Sequence, residues 1–162
     1  MKFIFTKANI VKGGLIYTIG DSIAALISNE FTIFRMLGVL IIGATIYAFE
    51  IPNYFSWIDQ KIQAKPGILT SFKRAGLAML YFNPLWIARH MLFILLLKTQ
   101  YESINISLLK IAFLSFLVNI PISLLANYII QNNIQFKYRF VASAIFSGLM
   151  AIYYALSFHW FS

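Results

Sequence analysis

The stretch GGLIYTIGDSIAALIS, residues 13–28, is apolar on both sides of a single aspartate, Asp21. A membrane-spanning helix needs roughly 20 mainly apolar residues, and the first apolar segment of the chain is near that length. A charged side chain at the centre of a bilayer costs about 2.5–3.5 kcal/mol on insertion scales. We therefore expect that Asp21 does not face lipid. It is paired inside a bundle, protonated, or hydrated in a cavity.

The composition of the whole chain indicates a membrane protein. Of the 162 residues, 60% are hydrophobic and 11% are charged, whereas soluble domains carry roughly 25% charged residues. Lipid can solvate apolar outer faces that a soluble fold of this size could not bury. The length fits one domain, residues 1–162. The absence of cysteine excludes disulfides, zinc–thiolate sites and thiol catalysis.

Apolar segments divide the chain and predict its fold. The class is an all-α membrane bundle of four to five transmembrane helices. The segments lie at about residues 8–28, 34–58, 75–97, 106–130 and 140–161. The fourth segment is the least uniformly apolar, because polar residues and a proline interrupt it. Four spans and five spans therefore both remain possible. The clearest loop is residues 59–67, DQKIQAKPG, with Pro66 and Gly67 as its turn signal.

The basic residues predict how the helices are oriented. With five spans and a cytoplasmic N-terminus, nine of the thirteen lysines and arginines fall on the cytoplasmic side. Three, Arg35 among them, fall on the other side, and Arg89 lies within a span. Cytoplasmic loops carry such an excess of Lys and Arg. The N-terminus is therefore predicted to be cytoplasmic, its first helix to be retained, and the net charge of +8 to reflect topology.

Ionisable and polar residues inside the predicted spans suggest an internal polar path. Arg89 is the natural partner for Asp21 or Glu50, because a guanidinium and a carboxylate can form a bidentate pair that removes two exposed charges together. Asn119 and Asn127 add amide groups to this set. The network could line a solvated path or only hold the bundle together, and both interpretations stay open.

Two prolines, Pro84 and Pro121, are predicted to kink helices. Each removes a backbone donor and frees a carbonyl one turn earlier. Each also has asparagine close by, in the stretches FNPLW and VNIPISLLAN. Polar groups are thus expected to gather at the kinks, as they would in a water-lined path or in an ordinary kinked bundle.

We find no constellation typical of an enzyme. A metal site would need several His, Asp or Glu residues at ligand spacing, and His90 and His159 are far apart in the chain. There is no G-x-S-x-G motif and no glycine-rich phosphate loop. The aromatic residues form no stacking platform for nucleic acid. We expect no enzymatic activity, no cofactor, no metal and no nucleic-acid partner.

Several short motifs keep a characteristic order along the chain. They are GD at residues 20–21, RAGLAMLYFNP ending at Pro84, Pro121 followed by Asn127, and Tyr138-Arg139 before the last apolar segment. In order and spacing they resemble the Mpv-seventeen and peroxisomal membrane protein family. The Asp-Gln pair which that family carries before its third-helix proline is replaced here by Ala78-Met79.

The resemblance implies an all-α, usually four-spanning bundle that forms a channel for small solutes in an inner mitochondrial or peroxisomal membrane, as an oligomer. A bacterial inner membrane fits the residues equally well. We expect a channel whose polar path includes Asp21, Arg89, Asn127, Glu50 and Asn119. Asp21 is expected to create a local electric field that favours cations. Arg89 is expected to hold this field in place or to gate it. The expected partners are the lipid bilayer, small solutes or ions, and further copies of the chain.

Two alternatives to the channel stay open. One is a small exporter of amino acids or similar solutes, which should saturate and couple to a gradient. The other is a membrane assembly factor that binds partners through stripes of small residues, which begin at Gly20 on the first helix and at Ser143 on the last.

Overall fold

The computed structural model describes residues 3–63 and 67–161, and these residues form an all-helical bundle. The predicted all-α class is confirmed. In chain order the elements are α1 (Lys7–Ile27), α2 (Ile33–Ile42), a π-helical turn (Gly43–Tyr47), α3 (Ala48–Lys61), α4 (Ile68–Tyr81), α5 (Pro84–Leu97), a 3-10 turn (Tyr101–Ser103), α6 (Ser107–Asn132) and α7 (Phe136–Phe161).

Four helical segments among the described residues are long and apolar enough to cross a bilayer. They are Lys7–Ile27, Ile33–Lys61, Ile68–Leu97 and Ser107–Asn132. The second of these spans joins α2, the π-helical turn and α3, and the third joins α4 and α5. The fifth predicted segment coincides with α7, a helix of 26 residues. The side chains of residues 151 and 154–161 lie outside the described part of the chain.

The outer faces of the helices are apolar, as the surface of a membrane protein should be. Large side chains such as Ile19, Leu37, Leu117 and Leu125 are between 44% and 63% exposed. Soluble monomers rarely expose contiguous apolar patches larger than a few hundred Å². The four spans and this surface fit an integral membrane protein.

The third span begins earlier than the apolar pattern suggests. We predicted it from about residue 75, but α4 begins at Ile68. The polar first half of α4 is compatible with a helix because Arg74 is buried and bonded to Asp59 of α3. The predicted loop at 59–67 is correspondingly shorter, since α3 continues to Lys61. Its Pro66 lies outside the described residues.

The two prolines singled out above have different surroundings. Pro84 is the first residue of α5, and the chain leaves the helix at Phe82 and Asn83 just before it. Asn83 caps α5, because its Oδ1 accepts hydrogen bonds from the backbone N–H groups of Leu85 and Trp86, at 2.9 and 3.1 Å. The third span is therefore broken at this point. Pro121, by contrast, lies within α6, which continues through it.

Glycines let α1 approach its neighbours closely. A Cβ added at Gly20 would lie 2.5 Å from the Cα of Gly148 on α7, and one added at Gly13 would lie 2.5 Å from the carbonyl oxygen of Gly43. Small residues at such positions allow helix backbones to pack in lipid. Close packing of the first helix against the last thus involves Gly20, as its place in the small-residue stripe suggested.

Gly20→Ala is expected to destabilise the protein by about 1–3 kcal/mol, because the new methyl group meets backbone that cannot move aside. Gly76→Ala is the matched control, since a Cβ at Gly76 meets nothing within 4 Å. In a helix it should be neutral or stabilising by up to about 1 kcal/mol. Thermal unfolding in detergent measures both, and equal midpoints for the two variants would contradict the packing described here.

Candidate functional site

Each of the four arginines of the chain contacts a carboxylate. These contacts form three ionic clusters, two near opposite ends of the bundle and one between them. The clusters are built around Asp21, Asp59 and Glu50. They differ in how accessible they are, and this difference separates structural pairs from a candidate site.

The first cluster is a closed pair between Asp21 of α1 and Arg35 of α2. The guanidinium donates from Nε to Oδ2 at 2.8 Å and from Nη2 to Oδ1 at 2.7 Å. Both side chains are only 3% exposed. Glu30, in the connection between the two helices, accepts from Arg35 at 3.2 Å and from Lys98 at 2.5 Å. Of the three states considered for Asp21, the structure shows the paired one.

The partner of Asp21 is not the one that sequence reasoning favoured. Arg89 was considered the natural partner of Asp21 or Glu50, and Arg35 was assigned to the surface beyond the membrane. The sequence nevertheless contained a feature that could have identified Arg35 as the partner. Asp21 and Arg35 both lie within about two turns of the short connection between α1 and α2, so a helical hairpin places them at nearly the same level.

Asp21→Asn should lower the free energy of unfolding by about 3–5 kcal/mol, because it leaves the buried guanidinium of Arg35 without its bidentate partner. The double variant Asp21→Asn/Arg35→Gln removes both charges and should lose less stability than the single variant. Chemical denaturation of the detergent-solubilised protein measures both. Purely additive losses would show that the pair does not act as a unit.

The second cluster joins four helices at one end of the bundle. Arg139 of α7 donates to both oxygens of Asp59, at 2.7 and 2.8 Å, and Arg74 of α4 bonds to the same carboxylate. Arg74 also donates to the backbone carbonyls of Ile62 and Gln131, at 2.6 and 3.1 Å. One carboxylate thereby ties α3, α4 and α7 together, and Arg74 adds α6.

The third cluster pairs Glu50 of α3 with Arg89 of α5, the other alternative considered for Arg89. Arg89 donates from Nη1 to Oε1 at 2.8 Å and from Nη2 to Oε2 at 2.6 Å. The Tyr81 hydroxyl donates to the same Oε2 at 2.7 Å. Here the carboxylate and guanidinium side chains are 32% and 33% exposed. This is the most accessible of the arginine–carboxylate pairs.

Helix register places this exposed pair inside the candidate membrane spans rather than at their ends. The midpoint of the second span is Tyr47, less than one turn before Glu50. Arg89 lies about two turns past the midpoint of the third span, and helical side chains lean back toward the start of their helix. The two groups therefore meet at a depth where an ionisable residue is a functional-site hypothesis by default.

The pair opens into a cleft of about 510 Å³ between the second and third spans. The cleft is lined by Glu50, Tyr54, Leu80, Tyr81, Asn83, Leu85, Trp86 and Arg89. It therefore includes the break between α4 and α5. Trp86 connects it to a buried aromatic cluster, with its ring 5.4 Å from that of Tyr47 and 5.5 Å from that of His90.

A second polar feature runs along α6. Its members recur every four residues, all are buried, and they are Ser115, Asn119, Ser123, Asn127 and Gln131. We call this set the α6 polar row. It rises about 24 Å from its first residue to its last, which approaches the roughly 30 Å of a hydrocarbon core. At one end, the backbone carbonyl of Gln131 meets Arg74.

The α6 polar row has more polar atoms than partners. Asn119 donates to the hydroxyl of Ser123 at 2.7 Å, and Asn127 donates to the Ser123 carbonyl at 2.8 Å. The amide oxygens of Asn119 and Asn127 and both side-chain polar atoms of Gln131 have no hydrogen-bond partner within the described structure. Buried polar groups of this kind normally bond to protein or to ordered water.

The structure thus distributes the five predicted path residues over three places. Asn119 and Asn127 share the α6 polar row, Glu50 and Arg89 share the cleft, and Asp21 lies apart in its closed pair. Sequence reasoning missed the serines and the glutamine of the row. The spacing of four residues along a proline-containing apolar helix was the signal that could have revealed them.

Comparison with known proteins finds no matching family model, no matching curated protein and no matching solved structure. The interpretation of the site therefore depends on its geometry and chemistry.

Proposed function

We propose that the protein is a channel for small solutes, and that the α6 polar row provides its path. The observation that carries the proposal is the row itself: five buried polar side chains over about 24 Å, three of which have atoms without a hydrogen-bond partner among the described residues. Such atoms are strong sites for water, which makes roughly three hydrogen bonds when it is buried in a protein. A file of water along the row would be a route for small polar solutes.

The charge distribution supports neutral solutes rather than ions in this path. The row contains only hydroxyl and amide side chains. Asp21, which we expected to favour cations, is bonded to Arg35, so the charges of the pair cancel at short range. The short motifs that resemble the Mpv-seventeen family imply a small-solute channel as well.

The direct test is solute entry into liposomes that contain the purified full chain. Neutral solutes graded by size, from glycerol to sucrose, should enter with a sharp size cut-off and without saturation. No entry by any solute, with the protein shown to be folded, would refute the channel and favour the assembly-factor alternative.

Asn127→Leu should slow glycerol entry by about tenfold or more, because an apolar side chain within the row removes sites for water and narrows the path. Asn133→Leu is the control, since Asn133 is exposed beyond the end of α6. It should leave the rate unchanged. Equal rates for wild type and Asn127→Leu would rule out the row as the path.

A carrier is the second candidate, and one observation favours it. The third span is broken at Phe82 and Asn83 beside a charged cleft. Discontinuous helices at solute sites are typical of secondary transporters. Saturable entry of one class of solute, in place of a size cut-off, would identify a carrier.

A further inference from the structure

We propose that the cleft between the second and third spans is a binding site for a small zwitterion, a solute with one ammonium and one carboxylate group, such as a free amino acid with an apolar side chain. This proposal goes beyond the proposed channel and does not depend on it, because the cleft lies apart from the α6 polar row. Binding itself can be measured without any flux.

Accessibility is the first reason for choosing this pair. Asp21–Arg35 and Glu50–Arg89 are both bidentate, but the side chains of the first pair are 3% exposed and those of the second are about one third exposed. The charged atoms of Glu50 and Arg89 are therefore open to the cleft, whereas those of Asp21 and Arg35 are enclosed by protein.

The net charge of the site selects the class of solute. Glu50 and Arg89 neutralise each other within the candidate spans, where an unpaired charge is costly. A simple cation or anion that displaced one partner would leave the other without a counter-charge. A zwitterion avoids this cost by exchanging partners. Its carboxylate accepts from the fork of Arg89, its ammonium donates to Glu50, and every charge stays paired.

Local hydrogen bonds fit this exchange of partners. Tyr81 donates to Oε2 of Glu50 at 2.7 Å, which keeps the carboxylate in place when Arg89 turns to a solute. The first N–H groups of α5 are already satisfied by Asn83, so the beginning of that helix does not compete for the carboxylate of the solute. Arg89 is thus the anion-binding group of the cleft.

The walls of the cleft fit an apolar remainder of the solute. Tyr54, Tyr81, Trp86 and two leucines supply aromatic and aliphatic surface around the ion pair. The volume of about 510 Å³ falls within the range of roughly 300–1,000 Å³ that is typical of small-molecule sites. Leucine and phenylalanine are therefore suitable probes.

A zwitterionic lipid headgroup carries the same two charges, and the test must distinguish it from a free solute. Both charged residues lie within the candidate spans rather than at their ends, whereas a headgroup lies at the bilayer surface. The full chain should therefore be studied in nanodiscs of phosphatidylglycerol alone and in nanodiscs that also contain phosphatidylethanolamine. Competition by the second lipid would identify a headgroup as the ligand.

The experiment compares leucine and phenylalanine with their charge variants. In phosphatidylglycerol nanodiscs, each free amino acid should raise the thermal unfolding midpoint and bind in titration calorimetry. The N-acetyl forms, which are anions, and the methyl esters, which are cations, should bind at least about tenfold more weakly, because each lacks one of the two charged contacts. Equal responses to all three forms, or no response to any, would overturn the proposal.

Variants then locate the site. Glu50→Gln and Arg89→Gln should each weaken binding by about tenfold or more. Glu102→Gln and Lys110→Gln are matched controls at exposed positions and should bind like wild type. Binding that survives both cleft variants would place the ligand elsewhere. If either cleft variant fails to fold, the comparison of charge forms on the wild-type chain still decides the proposal.

The two proposals fail separately. Glycerol entry without binding of any zwitterion would support the channel and refute the binding site in the cleft. Zwitterion binding without solute entry would support the binding site and refute the proposed transport function.

Discussion

An unpaired charge is costly in hydrocarbon, and this constraint determines much of the bundle. The chain has four arginines, and each is bonded to a carboxylate on another element. The pair of Asp21 and Arg35 joins the first two helices, and Asp59 holds Arg74 and Arg139 where four helices meet. These contacts are compatible with helix formation in polar stretches such as the first half of α4, and they join neighbouring helices.

The same ionic chemistry has two different consequences in this molecule. The Asp21–Arg35 pair is buried, and its role is structural. The Glu50–Arg89 pair is accessible from a cleft beside a broken helix, and that position makes it a candidate site. The α6 polar row differs from both, because it carries no charge and has atoms without a hydrogen-bond partner in the described part of the chain. The proposed path and the proposed solute site therefore lie in separate parts of the bundle.

Much of the fold could be predicted from the sequence because apolar length and periodicity are strong signals. The first helix was expected at about 8–28 and is Lys7–Ile27. The need to pair Asp21 followed from the cost of a charge in lipid. The identity of its partner could not be predicted from this cost, because pairing depends on which helix faces are adjacent. Arg89 and Arg35 are equally suitable in chemistry, and only the hairpin geometry selects Arg35.

The candidate site was less predictable than the fold. Asn119 and Asn127 stood out as amides in an apolar segment, whereas Ser115 and Ser123 did not, since serine is common in membrane helices for packing reasons. The start of α4 was missed because Lys73 and Arg74 look like loop residues. The buried contact of Arg74 with Asp59 is a tertiary effect that overrides that local pattern.

The hydration of the α6 polar row is the central claim, and the absence of cysteine from the chain makes it directly measurable. Ser115→Cys, Ser123→Cys and, on the outer face, Leu125→Cys each introduce a single thiol. In liposomes, a small water-soluble thiosulfonate should modify the thiols at 115 and 123, because it reacts with the thiolate form in water. The thiol at 125 should stay unmodified. No reaction at 115 and 123 would show that the row is dry, and would contradict the account.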